Sequence, residues 1–540
     1  MTQARASQHE VAKQIRTGQY VPDILDCLAQ LSNDEVPTPP KVARAMLDTL
    51  PSEVWGNPDY VWLDPFSKSG VFLREAAGRL LEGLSDQIPD FEKRRDHIYR
   101  HMLWGTSITE MTGMISRRSL YYSRDASGPD SVVKFDNEVG NLPFIHVRHT
   151  YPKKADGTVT GGCTICGAAF DLERGEAREN YAYSFIHGAY PTQEMQDMKF
   201  DVIVGNPPYH LEDGGHGTSA ASIYHLFVEQ AKQLNPRYIS MIIPSRWFAG
   251  GKSLGTFRES MLGDDRLRSI DDYLSASDAF PGVGLKGGVC YFLWDRDNRG
   301  ECRVTTRFKD WPVSTATRPL LEDGADVFIR FNEGVSILKK VAKEVTGGSA
   351  SLAMPDGKRF DRLVSPRKPF ALATTFKGRK TRKTGDVAVS QNGGVGYTEK
   401  SSVTTGTHLI DKWKVFVGYA APGTGNKDTY PHRIISTPFV AGPGTICSET
   451  YLAIGPFDTE DEAKSALSYL NCRLTRFLIL LHKPSQHVTR SVYTFVPTQD
   501  WSKTWTDKDL YEQYGLTEDE IAFVEKVVRP MGSAGGSSDD

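Results

Sequence analysis

Hydrophobic positions between residues 36 and 300 alternate between two kinds of spacing. Short continuous apolar runs, typical of strands buried in a sheet, occur at 60–66, 101–108, 200–208 and 237–247. Segments with apolar residues at helical spacing lie between them, at 70–84, 109–122 and 222–234. Because strands that alternate with helices form parallel sheets covered by helices, the pattern predicts a doubly wound, Rossmann-like α/β domain. The run 287–297 fits a further strand, antiparallel at the far end of that sheet.

Other parts of the chain depart from this alternation. Residues 1–35 have the polar, helical pattern of a lead-in segment, and residues 140–195 are too polar and glycine-rich for another strand–helix unit. We interpret 140–195 as an insertion between two strands of the 36–300 domain. Residues 301–530 predict a second domain of mixed α+β character, and 531–540 end in a small polar sequence that predicts a disordered tail.

Composition and charge restrict the class of protein without identifying it. The 540 residues are 24% charged and 39% hydrophobic, with a formal net charge of −3. A surface that binds nucleic acid must therefore be a local basic patch. We find neither a signal peptide nor an apolar run long enough for a membrane span. The seven cysteines are odd in number and mostly scattered, which favours a reducing cytoplasm over a disulfide framework.

Two polar segments follow the first two predicted strands. Asp64 and Pro65 open a small turn that ends at Gly70, where a helix begins. The amides of such a turn and the helix N terminus can receive a carboxylate or another polar group. Glu110, after the next strand, could accept hydrogen bonds from both hydroxyls of a ribose. It could equally be an exposed acid in the first turn of a helix.

The third polar segment is "NPPY", Asn206 to Tyr209, directly after the strand that begins at Asp201. The carbonyls of Asn206 and of the rigid Pro207 could together accept both hydrogens of an exocyclic amino group. Tyr209 could stack on the ring that carries that group. The alternative is a proline turn with a surface tyrosine.

The insertion contains candidate metal ligands. Cys163 and Cys166 form "CTICG", a CxxC knuckle of the kind that wraps zinc. His149 and His187 complete the best available set of four ligands, with His146 as a spare candidate. A lone CxxC pair could instead be redox-active.

Together these motifs resemble a known family. "NPPY", after "DPFSKSGVFL" and before "PSRWFAGGK", is similar to the gamma class of adenine-N6 DNA methyltransferases. More narrowly, it resembles restriction-modification methylases whose catalytic domain precedes a target-recognition domain. In that class a Thr-Pro-Pro segment precedes the glycine turn, and residues 38–40 fit it. The resemblance covers 36–300 well and the C-terminal part only loosely.

The resemblance implies S-adenosylmethionine as methyl donor and a flipped adenine in duplex DNA as target. It implies that Asn206, Pro207, Pro208 and Tyr209 are the catalytic segment. The implied cofactor-binding residues are Thr38, Pro39, Asp64, Pro65, Phe66, Ser69, Gly70, Glu110 and Asn206. One departure is that Lys68 stands where the commoner family turn, Asp-Pro-x-x-Gly-Ser-Gly, has its middle glycine. A lysine requires an ordinary φ, so the turn must be shaped differently there.

Residues for the target base and for DNA are the next expectation. Tyr209, Tyr224 and Phe227 lie where the family often packs the target base, although Tyr224 and Phe227 could be core residues. The segment 358–383 holds ten Lys or Arg against one Asp and suits DNA phosphates, although a solvated basic loop would look the same. The predicted DNA-binding residues are Arg367, Lys368, Lys377, Arg379, Lys380, Arg382 and Lys383.

The predicted activity is therefore site-specific N6-adenine methylation, as the modification component of a restriction-modification or related phage-defence system. Its expected partners are double-stranded DNA and a separate restriction or helicase subunit. Two alternatives stay open. "NPPY" also occurs in methyltransferases that modify a protein glutamine amide, and the chain could be a non-catalytic DNA-specificity subunit.

Overall fold

The computed structural model describes residues 37–170, 182–195, 197–210, 222–249, 254–281, 283, 285, 287–349, 351–421, 430–483 and 487–531. The predicted lead-in, 1–35, and the predicted tail beyond residue 531 lie outside the described residues. The chain divides into two compact units, one formed by 1–283 with 288–309 and the other by 284–287 with 310–540.

The first unit is a mixed α/β structure around a large central sheet. Its strands are β1 (Trp62–Ser67), β2 (Leu103–Ser107), β3 (Val202–Gly205), β4 (Tyr238–Pro244), β5 (Leu267–Tyr273), β6 (Val289–Asp295) and β7 (Cys302–Arg307). Its helices are α1 (Pro40–Leu47), α2 (Val71–Gly83), α3 (Phe91–His97), α4 (Glu110–Tyr121), α5 (Tyr224–Gln233) and α6 (Gly255–Leu262).

The strands of this unit follow the order β2-β1-β3-β4-β6-β5-β7. β1 pairs in parallel with β2 and β3, and β3 with β4, as the alternating pattern predicts. β6 is antiparallel to both neighbours, as expected, but it lies between β4 and β5 and not at the far end. All seven residues of β6 are buried, which is typical of a strand covered on both faces inside a sheet.

Local sequence explains where the helices beside the site begin. α1 starts at Pro40, a position where a missing amide hydrogen costs nothing because the first amides of a helix have no partner within it. α4 starts after Thr109, whose side chain accepts from the Thr112 amide in a capping box. Since β1, β2 and β3 are parallel neighbours, their carboxyl ends meet at one edge of the sheet.

The described residues between α4 and β3 contain no α-helix or β-strand. They are tied to the sheet by backbone hydrogen bonds, in which the Gly105 and Ser107 amides donate to Asn141 and Pro143. Polar, glycine-rich composition accounts for this irregular course, since it leaves few apolar side chains to bury.

The second unit contains two three-stranded sheets, a further strand, β8, that belongs to neither of them, and several helices. Its strands are β8 (Ser314–Arg318), β9 (Asp386–Gln391), β10 (Gly394–Glu399), β11 (Trp413–Gly418), β12 (Phe439–Ala441), β13 (Thr445–Cys447) and β14 (Tyr451–Phe457). Its helices are α7 (Asn332–Thr346), α8 (Glu460–Asn471), α9 (Arg473–His482), α10 (Asp507–Gln513) and α11 (Glu518–Val527). The sheets have the orders β10-β9-β13 and β12-β11-β14.

Within the described ranges, no helix combines the length and the apolar character that a membrane span requires.

Candidate active site and metal cluster

A cleft of about 200 Å³ lies at the edge of the sheet where β1 and β3 end. Its lining residues are Thr38, Asp64, Phe66, Lys68, Ser69, Gly70, Val71, Phe72 and Asn206. Six of them are predicted cofactor-binding residues from three separate segments of the chain. The other three, Lys68, Val71 and Phe72, belong to the same turn and to the start of α2. In the sequence, only their position next to predicted cofactor-binding residues indicates them.

Asn206 and Thr38 join two sides of the cleft. The Asn206 amide nitrogen donates a hydrogen bond of 3.1 Å to the Thr38 hydroxyl, and both side chains are buried. This bond fixes the orientation of the amide, because Nδ2 faces Thr38 and the carbonyl oxygen takes the opposite direction. The Thr-Pro segment and "NPPY", 168 residues apart in sequence, therefore form one structure.

The turn after β1 takes its left-handed conformation at Gly70, where φ is +71° and α2 begins. Lys68 has no positive φ, so the lysine is accommodated by an ordinary backbone conformation. A Cβ atom at Gly70 would lie 2.8 Å from the Ser116 carbonyl oxygen, so this position requires glycine for its space as well as for its φ.

Asp64 is the buried acidic group among the lining residues of the cleft. Burial raises the pKa of its carboxyl from 3.8 to about 7, against the opposing effects of the Phe66 amide and the Lys68 ammonium. The Phe66 amide donates to Asp64 Oδ1 at 3.3 Å. A carboxyl held in this way favours a cationic ligand, since a nearby positive charge restores the ionised form.

Gly205, the last residue of β3, lies against the same turn. A Cβ atom there would approach the Phe66 ring to 2.3 Å and Asp64 Oδ1 to 2.8 Å. We expect Gly205→Ala to lower the free energy of unfolding by about 1–3 kcal/mol, because the ring would have to move within a packed core. Urea unfolding measures it, with Gly78→Ala in α2 as control, because a Cβ at Gly78 meets nothing within 4 Å. Equal midpoints for the two variants would contradict the expected crowding.

Three other predicted cofactor-binding residues lie nearby but do not line the cleft. Pro39 caps α1, and its carbonyl accepts from the Val42 and Ala43 amides. Pro65 lies within β1, and Glu110 is the half-buried first residue of α4. Their roles toward a cofactor stay predictions.

Tyr209 and Tyr224 are close neighbours. The Ile223 amide donates to the Tyr209 carbonyl, which brings the start of α5 beside "NPPY". Both hydroxyls are buried without a hydrogen-bond partner among the described residues. Burial raises the pKa of Tyr209 well above its ordinary value, and the Cys290 and Tyr224 groups nearby act in the same direction.

Phe227 occupies a different environment. It is fully buried, with its ring centroid 5.5 Å from those of Phe66 and Tyr183 and 6.4 Å from that of Phe185. In this structure it is a core residue behind the cleft, and its contact with a target base stays a prediction.

The four predicted metal ligands come together in the insertion. The candidate ligand atoms of His149, Cys163, Cys166 and His187 all lie within 4.8 Å of one another. Cys166 Sγ is 3.3 Å from His149 Nδ1, and Cys163 Sγ is 4.0 Å from His187 Nε2. Sulfur and nitrogen ligands of one tetrahedral zinc ion lie roughly 3.5 Å apart, so the spacing fits such an ion. The spare candidate, His146, is exposed and outside the cluster.

The basic segment 358–383 has two parts. Arg367 and Lys368 pair with Glu449, Arg379 pairs with Asp386, and Lys377 donates to the Asn392 carbonyl. Exposed cations follow at Lys380, Arg382 and Lys383. The aromatic residues of the segment are buried or packed on the core of the second unit.

Comparison with known proteins decides the family. Residues 101–280 match the Eco57I restriction-modification methylase family. Over 317 residues the chain is 35% identical to an uncharacterized adenine-specific methylase of Mycoplasma pneumoniae, covering 54% of this chain and 74% of that protein. The chain belongs to the adenine-specific restriction-modification methylases. The resemblance inferred from "NPPY" and its flanking motifs is confirmed.

Membership of this methylase family implies S-adenosylmethionine as the methyl donor.

Solved structures of restriction-modification enzymes are similar to this chain at low sequence identity. The type IIL enzyme MmeI in complex with DNA is 12% identical, with a TM-score of 0.42, over 96% of this chain and 77% of that chain. A DrdV–DNA complex is 11% identical, with a TM-score of 0.41, over 91% of this chain. This chain spans 58% of the length of the DrdV chain.

Proposed function

We propose that this protein transfers a methyl group from S-adenosylmethionine to N6 of an adenine extruded from duplex DNA. The observation that carries the proposal is the position of Asn206, whose amide is oriented by Thr38 at the lip of a cleft lined by the turn after β1. In a member of an adenine-specific methylase family, this arrangement would set the target amino group beside the donor site.

The residues of the cleft suit the proposed donor. S-adenosylmethionine supplies a methyl group on a positively charged sulfur, together with an ammonium and a carboxylate. Asp64 would hold the cationic end, because its buried carboxyl gains most from a positive neighbour. The turn through Ser69 and Gly70 would hold the carboxylate with backbone amides at the start of α2.

The "NPPY" segment would hold and activate the base. The N6 lone pair of adenine is delocalised into the ring, which makes the nitrogen a poor nucleophile. The carbonyls of Asn206 and Pro207 would accept its two hydrogens and favour a tetrahedral nitrogen with an available lone pair. Tyr209 would stack on the ring and offset part of the unstacking cost, by about 1–3 kcal/mol.

The second unit would recognise the DNA sequence. Lys380, Arg382 and Lys383 are the strongest candidates for phosphate contacts, since they are exposed, whereas the four cations before them have partners within the protein. A separate restriction or helicase subunit would complete the system, which would act in the cytoplasm.

The test incubates the protein and duplex DNA with donor labelled in its methyl group, and then locates the label by mass spectrometry of the digested DNA and of the digested protein. Label in N6-methyladenine supports the proposal. Label in a protein glutamine supports the glutamine alternative, and no transfer despite donor and DNA binding supports a non-catalytic subunit.

We also propose that His149, Cys163, Cys166 and His187 hold one structural zinc ion. Elemental analysis of the purified protein should give one zinc per chain, and Cys163→Ser/Cys166→Ser should lose it because two of four ligands are gone. His146→Ala is the control, since His146 lies outside the cluster, and it should keep the metal. Metal-free wild-type protein after purification without chelator would contradict the zinc site.

A further inference from the structure

One irregular segment of the insertion, residues 182–190, lies directly behind the cleft. Its Phe185 ring is buried, 6.3 Å edge-on from Phe66 and stacked at 6.4 Å on Phe227. Phe66 itself lines the cleft and contacts Phe227 at 5.5 Å. A ring from the insertion therefore supports the turn that would hold the methyl donor.

A second side chain of the same segment, Tyr190, is electrostatically coupled to Asp64. Tyr190 is fully buried, and its hydroxyl has no hydrogen-bond partner within the described part of the chain. Burial raises the pKa of Tyr190, and the nearby Tyr121 and Asp64 groups raise it further. Phe185 thus packs on Phe66 in the wall of the cleft, and the buried Tyr190 is near enough to Asp64 to feel its charge.

The candidate metal ligands lie on this segment and on the segment that is hydrogen-bonded to it. The Ala182 amide donates to the Val147 carbonyl at 2.8 Å, so 182–190 runs beside the segment that carries His149. His187 lies between Phe185 and Tyr190 and is itself a candidate ligand. A metal ion bound to His149, His187 and the knuckle would close the loop between the two histidines and hold Phe185 in place.

We propose that the metal cluster is a support for the donor cleft, acting through Phe185 and Tyr190 as positioning residues behind Phe66 and Asp64. The inference rests on the proposed function, in which this cleft binds S-adenosylmethionine. Metal loss would leave the catalytic residues intact but free the segment that packs on the turn, so donor affinity would fall while "NPPY" chemistry stays available.

Phe185→Ala tests the support without touching a ligand. We expect zinc content to stay at one per chain, donor affinity measured by calorimetry to fall about tenfold, and kcat at saturating donor to stay near wild type. Phe185→Leu, which keeps most of the apolar volume, should retain most of the affinity. Phe170→Ala is the matched control, because Phe170 is in the same insertion but 61% exposed, and it should change neither quantity.

A second measurement uses the wild-type protein. Removing zinc with a chelator should weaken donor binding by at least the factor of about ten that is expected for Phe185→Ala. Adding zinc back should restore the affinity. The inference is overturned if Phe185→Ala binds the donor as tightly as Phe170→Ala, or if zinc-free, folded protein binds it with wild-type affinity. If wild-type holoprotein binds no donor at all, the proposed function fails instead.

Discussion

Asn206→Ala should lower the rate of adenine methylation by about 10³-fold, comparable to the loss of one preorganised polar group at a developing charge in other enzymes. The substitution removes the amide that Thr38 orients through a 3.1 Å hydrogen bond, so the side-chain acceptor for the target amino group would be lost. Donor affinity should change only a few-fold, because Asp64, Ser69 and Gly70 remain. Single-turnover methylation and calorimetry measure the two quantities separately.

Thr38→Val is the matched control for orientation. It keeps the Asn206 amide and the volume of the threonine but removes the acceptor of their hydrogen bond. A loss of about tenfold in methylation is expected, the value of one buried hydrogen bond. A loss of donor binding in Asn206→Ala as large as the loss of methylation would contradict its role toward the base.

Asp64→Asn should change how stability depends on pH. The folded-state pKa of Asp64 is raised from 3.8 to about 7, so the folded protein holds this proton more tightly than the unfolded chain. The resulting stability is fully present below pH 3.8 and is lost as the pH rises through 7. A shift of this size corresponds to about 4 kcal/mol. The amide of Asp64→Asn cannot ionise and lacks this term.

Urea unfolding at a series of pH values measures the effect as a difference between wild type and Asp64→Asn. Relative to the variant, the wild type should lose stability between pH 4 and pH 8, and the other carboxyls cancel in the comparison. Asp86→Asn, at an exposed position in the same unit, should follow the wild-type curve. Parallel curves for wild type and Asp64→Asn would show that the carboxyl is not buried as described.

Sequence alone predicts the features of the site that depend on local chain properties. The turn at Gly70, the strand before Asn206 and the helix after it follow from hydrophobic spacing and from the backbone limits of glycine and proline. The order of motifs in the family predicted that Thr38 belongs to the site, and Thr38 contacts Asn206, 168 residues further along the chain. Spacing also indicated His149 and His187 as ligands, and the structure places both in the cluster.

Features that depend on long-range packing were not predictable in the same way. The position of β6 inside the sheet depends on which strands pair, although its unbroken apolar run favours a central position over an edge. Phe185 and Tyr190 had no motif, and their contact with the cleft depends on how an irregular insertion folds back on β1.

Adenine methylation by the "NPPY" site can be measured by sequencing modified bases in DNA exposed for equal times to the wild-type protein and to Asn206→Ala. We expect N6-methyladenine at one recurring short sequence with the wild type, and about 10³-fold less of it with the variant after the same exposure. Methylated cytosine, or adenine methylation by Asn206→Ala at the wild-type rate, would contradict the proposed role of Asn206.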